Sequence, residues 1–157
     1  MWILVHSKEV PELAGNYIVH WRILPDLAID LVVLLLSWIL PVEQAGRVFI
    51  ASTMLLLIGG TVSLHRVLHG RIEIWPIWPV SFVYNATLFW GFVNCLFATG
   101  VYLFAFSGWI ATRHWRTAPR LRVFSIIASL LLLLHLFPFG LDCLSVATHE
   151  LARRIDH

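Results

Sequence analysis

Four apolar runs constrain this chain more tightly than any motif in it. An α-helix rises ~1.5 Å per residue, so the ~30 Å hydrocarbon core of a bilayer takes about 20 apolar residues. The first run opens at Pro25 and reads DLAIDLVVLLLSWILP, ending at Pro41. The others cover residues 48–68, 80–112 and 121–147. Pro25 and Pro79 suit first helical turns, where the missing N–H costs nothing. Pro138 falls inside the fourth run and predicts a kink there. The third run exceeds what a perpendicular crossing needs, which predicts tilt or a protruding end.

Composition agrees with a lipid environment. The chain is 59% hydrophobic and 13% charged, whereas a soluble domain carries roughly 25% charged residues. Mean hydropathy is +0.82. Eight tryptophans suit the headgroup level, which the indole ring favours. A net charge of +2, with no basic run interleaved with a nucleic-acid motif, argues against nucleic acid as a partner. Lipid is the expected partner, together with other membrane-protein subunits.

The expected fold is therefore an all-α integral membrane protein. Four transmembrane helices form a compact bundle over residues 25–147, and 148–157 form a polar tail. Residues 1–24 form an N-terminal interfacial segment, because Leu13, Tyr17 and Trp21 recur every four residues as an apolar stripe on a short helix. The block WILV near the N-terminus is shorter than the ~7–15-residue core of a signal peptide, so the segment is expected to persist. Cys95 and Cys143 are far apart and form no C-x-x-C, which predicts small buried hydrophobes.

Small residues suggest how the helices meet. Spans in lipid associate through close backbone approach and interhelical hydrogen bonds. Gly59 with Ser63, and Ser125 with Ser129, make small-xxx-small pairs; Tyr84, Thr87, Gly91, Asn94 and Ala98 make one seam.

Four crossings place both termini and the second loop on one side. That side carries Lys8, Arg22, Arg66, Arg71, Arg153 and Arg154; the other carries Arg47, Arg113, Arg116, Arg120 and Arg122. The dense loop RHWRTAPRLR, residues 113–122, is the better cytoplasmic candidate under the positive-inside rule, which leaves the termini non-cytoplasmic.

Most acids fall at the terminal side, and with them a candidate site. Asp26 and Asp30 are spaced i, i+4 on the first span, and His65 and His69 likewise at the end of the second. His135, Asp142 and His149 recur every seven residues on the fourth, so they share a face. A carboxylate in hydrocarbon costs ~2.5–3.5 kcal/mol even on the lenient insertion scale, so Asp30 needs a proton, a counter-charge or a metal. Two imidazoles one turn apart can bind one ion, and mixed N/O ligands suit Zn, Fe, Mn or Cu. These seven residues are the expected metal ligands of a site acting on a lipid-soluble substrate.

Three alternatives stand beside it. The same residues serve as helix-end charges favoured by the dipole. The chain serves as a non-catalytic accessory subunit of a larger membrane complex. A b-type haem takes His65 and His149 as axial ligands, with Gly59 and Gly60 making room for the macrocycle. No P-loop, G-x-S-x-G, H-E-x-x-H or G-x-G-x-x-G occurs.

Overall fold

The computed structural model describes residues 26–73, 78 and 92–155. The expected interfacial helix with Leu13, Tyr17 and Trp21 lies outside them. So do Tyr84, Thr87 and Gly91. The described residues form five helices: α1 (Ala28–Leu36), α2 (Val42–His69), α3 (Val93–Ala111), α4 (Thr117–Leu134) and α5 (Leu136–Ile155). Three of them, α2, α3 and α4, are long and apolar enough to cross a membrane.

Each boundary has a local cause. Pro41 precedes α2 in an extended conformation, and Glu43 in its first turn complements the helix dipole. Gly70 ends α2 with φ 71°, a left-handed cap that glycine adopts without a Cβ penalty. Its N–H bonds the Arg66 carbonyl at 2.8 Å. Pro119 falls in the first turn of α4, where no intrahelical N–H is required.

The first and fourth apolar runs differ from expectation. Helix α1 has nine residues, about 13 Å of rise, too short to cross hydrocarbon. The fourth run is two helices. A continuous helix would need Pro138 to donate to Leu134 and would press its ring against that carbonyl. Instead α4 stops at Leu134, His135 is fully extended (φ −169°, ψ 134°), and α5 begins at Leu136. Pro138 then sits harmlessly in a first turn. His135 caps the new helix, since its Nδ1 accepts the Phe137 N–H at 3.2 Å. The proline produces a reversal rather than a kink.

Helices α2 and α3 run parallel. Their contacts rise in register: Phe49 stacks on Phe97 with ring centroids 4.9 Å apart, Leu56 meets Gly100, and Gly60 meets Leu103. The close approach depends on two glycines. A Cβ on Gly60 would lie 2.7 Å from Leu103 Cβ, and one on Gly100 would lie 2.6 Å from Leu56 Cβ. The chain therefore leaves α2 at one end of the molecule and enters α3 at the other.

Two ends follow from this arrangement. At one, Ala28, Val33, Ala45 and Phe49 form a core against Val93, Phe97 and Leu134. Asn94 ties that end together, accepting the Ile29 N–H at 2.7 Å and donating to the Asp26 carbonyl at 3.0 Å. The N–H groups of Asp26 and Leu27 reach the Leu133 carbonyl. At the other end, Arg120 at the start of α4 meets Trp109 of α3 and Glu150 of α5. Helix α5 thus lies antiparallel to α4 and parallel to α3, with Tyr102 and Ser145 hydroxyls 2.8 Å apart midway.

Other packing expectations divide. Gly59 does face a neighbour, the Phe104 ring. Ser125 and Ser129 are exposed, and Ser129 donates only to the Ser125 carbonyl of its own helix. Both cysteines are free thiols, and Cys143 is exposed rather than buried.

Candidate functional site

The seven expected ligands do not converge on one layer. Asp26, Asp30 and His135 belong to the Asp26 end. His65 and His69 close the opposite end of α2, about 24 Å and about 30 Å along the axis from Phe49 at ~1.5 Å per residue. The separation arises because α1 packs beside the start of α2, and His135 is a turn residue rather than a mid-span one.

Each residue has a local role. Asp30 lies in the first turn of α1, where the dipole favours an acid; it is not deep within a long span. Asp26 has φ 121°, and its Oδ1 lies 3.9 Å from His135 Nε2. Asp142 is only 6% exposed and has no ion-pair partner among the described residues. His149 packs edge-on against Phe106, and its Nδ1 is 3.8 Å from Glu150 Oε1, beyond hydrogen-bond range.

The His65–His69 pair forms, but not as a chelate. The rings stack with centroids 4.3 Å apart and planes 20° apart. Imidazole lone pairs lie in the ring plane, so stacked rings aim them side by side rather than at a common point. His69 Nδ1 donates to the His65 carbonyl at 3.2 Å. His65 Nε2 faces Glu73 at 3.7 Å, and Arg71 holds the same carboxylate at 2.7 Å. No three His, Cys, Asp or Glu side chains come together as a metal shell among the described residues. The space beside Gly59 and Gly60 is filled by Phe104 and Leu103, so helix packing takes the room a macrocycle would need.

A different cluster stands out at this end. A cleft of about 590 Å³ is lined by the charged residues Arg113, Arg120, Glu150, Arg153 and Arg154 together with Trp109, Trp115, Thr117 and Leu121. Arg120 is its buried element, 7% exposed. Its guanidinium lies 3.7 Å over the Trp109 ring, and Nη2 donates to the Trp109 carbonyl at 2.7 Å and to Glu150 Oε1 at 3.1 Å. That carbonyl belongs to the last turn of α3, so Arg120 caps it and opposes the dipole. Its Nε is buried without a partner.

Glu150 is the counterweight. It also accepts the Trp109 indole N–H at 2.9 Å, and Arg153 approaches at 3.6 Å. Burial alone would raise its pKa. The hydrogen bonds from Trp109 and Arg120, with the charges of Arg120 and Arg153, outweigh burial and hold the carboxyl below its ordinary value.

The sequence reading missed this cluster because one continuous fourth span would place Arg120 and Glu150 on opposite faces of the membrane. The available signal was Pro138 read as a full reversal. Charge is also redistributed. Arg66, Arg71, Arg113, Arg116, Arg120, Arg122, Arg153 and Arg154 all gather at the Arg120 end, against Arg47 alone at the Asp26 end, among the described residues. The C-terminal part of α5 lies at the same end of the molecule as the 113–122 loop, through the Arg120–Glu150 contact, rather than at the opposite end as expected.

Comparison with known protein families, with curated proteins and with solved structures finds no match.

Proposed function

We propose that this is an integral membrane protein, seated with its Arg120 end in the cytoplasm, that works by binding at that end rather than by catalysis at a metal centre. The observation that carries the reading is the arginine asymmetry between the two ends, because short cytoplasmic segments retain Lys and Arg. Helices α2, α3 and α4 cross the bilayer. The exposed Leu55, Ile126, Leu130 and Leu144 face lipid or other subunits, so the accessory-subunit role fits within this reading.

A binding role suits the groups at the cleft. Arginine cannot act as an acid or base near neutral pH. Glu150, held ionised by Trp109 and Arg120, is a poor proton donor. The cleft recognises charge; it does not move protons.

Cysteine labelling tests the orientation. Cys95 and Cys143 are replaced by Ser, and single cysteines introduced by Gln44→Cys at the Asp26 end or His114→Cys at the Arg120 end; both positions are exposed. An impermeant maleimide should label the first in intact cells and the second only after permeabilisation. The reverse pattern, or equal labelling, refutes the reading.

A further inference from the structure

We propose that the cleft at the Arg120 end binds the phosphate of an anionic phospholipid headgroup. The assignment rests on the membrane placement proposed above and names the ligand of that end.

Charge comes first. Four arginines, Arg113, Arg120, Arg153 and Arg154, face the cleft against the single Glu150. Among the described residues, neither Arg113 nor Arg154 has a carboxylate partner. Arginine is suited to phosphate because its planar fork offers parallel N–H donors and stays charged. Arg120 is already organised: Trp109 and Glu150 fix its plane. A site that holds one guanidinium in place pays less side-chain entropy on binding.

Size and setting select the source of the phosphate. The volume of about 590 Å³ is within the ~300–1,000 Å³ of small-molecule sites and exceeds what a bare phosphate fills. Trp109 and Trp115 line it, and indoles favour the headgroup level. Leu121, which also lines it, is half-exposed and lies on α4 in line with the exposed Val123, Ile126 and Leu130, an apolar surface that suits acyl chains. A headgroup meets the arginines while its chains follow α4; a free phosphate or an acidic peptide uses only the polar half.

The test is native mass spectrometry of the full chain in detergent micelles holding equimolar phosphatidylglycerol and phosphatidylcholine with identical acyl chains. The wild type should retain phosphatidylglycerol in preference. The double variant Arg113→Gln plus Arg154→Gln changes exposed side chains, keeps the Arg120–Glu150 pair, and should lose preference by roughly 30-fold for two arginines near the surface. Arg47→Gln at the opposite end should behave as wild type. Added inorganic phosphate should leave the bound lipid in place. Equal retention of both lipids, an unaffected double variant, or an equal loss in Arg47→Gln overturns the proposal. Displacement by inorganic phosphate, or by an acidic peptide used as a second competitor, overturns the lipid assignment. Because micelles have no sides, this outcome is independent of the maleimide result, and either can fail alone.

Discussion

Replacing Gly100 by Ala should weaken the α2–α3 interface although alanine is the better helix former. The added Cβ would sit 2.6 Å from Leu56 Cβ, 2.9 Å from the Leu56 carbonyl carbon and 3.0 Å from Leu57 N. Carbon pairs are comfortable at ~3.5–4.0 Å, so roughly 1 Å of separation is needed. Two of the three atoms are backbone, so no rotamer change relieves the clash and the helices must part. Overpacking of this kind costs ~1–3 kcal/mol, against a propensity gain of ~1 kcal/mol for Gly→Ala. The net expectation is a loss of up to ~2 kcal/mol. Two companions calibrate it. Gly46→Ala meets nothing within 4 Å and should stabilise by up to ~1 kcal/mol. Gly59→Ala meets only the tip of the Phe104 ring, at 2.9 Å, which can turn aside, so it should fall between. Reversible unfolding in SDS mixed micelles, followed by circular dichroism, measures all three. Gly100→Ala as stable as Gly46→Ala would refute the close parallel packing and, with it, the assignment of the two ends.

Arg120→Ala should cost about 3 kcal/mol in the same assay, the low end for removing one partner of a buried pair; Glu150 is 31% exposed, which screens the rest. Arg120→Lys should not restore it, because an ammonium cannot stack on Trp109 while reaching both its carbonyl and Glu150; full rescue would show that charge alone matters. The Glu150 pKa lies below its usual 4.5 in the folded protein, so ionised Glu150 contributes its full stability above about pH 4.5 and loses it as pH falls through the lower folded value. The stability difference between wild type and Glu150→Gln should therefore be constant near neutrality and shrink in acid. A difference that grows in acid would reverse the assigned sign.

The apolar core of each long helix was legible from hydropathy, because a run of twenty apolar residues has few alternatives to a helix in lipid. Helix α2 is nearly where its run lies, extended to Val42 by residues that hydropathy discounts but helix geometry accepts. Direction was not legible. Nothing in the apolar pattern of 48–68 or 93–111 distinguishes parallel from antiparallel neighbours, and an apparent four-span count supplied the wrong default. Pro138 marked the right place, but a proline kink and a proline reversal differ only in what His135 does, and that depends on Asp26 and Leu27 reaching Leu133 across the end of the molecule. The site inherited the error. Residues at i, i+4 and i, i+7 do share faces, yet the layers they occupy are set by topology. The His65–His69 spacing produced a contact, and the contact is a stack.

The single-residue turn at His135 also bears on biogenesis. Helix α5 carries Asp142, Glu150, Arg153 and Arg154 and is not among the three helices apolar enough to cross a membrane alone. With one extended residue between them, its first turn must start at whatever depth α4 ends. In the membrane placement proposed above, an insertion machinery that releases spans one at a time would therefore meet α4 and α5 as a single cargo, the apolar partner carrying the polar one. Glu150 can reach Arg120 only once that hairpin has closed, so the ion pair marks a completed α4–α5 unit. A truncation before His135 would keep the apolar α4 while stranding Arg120 without its carboxylate.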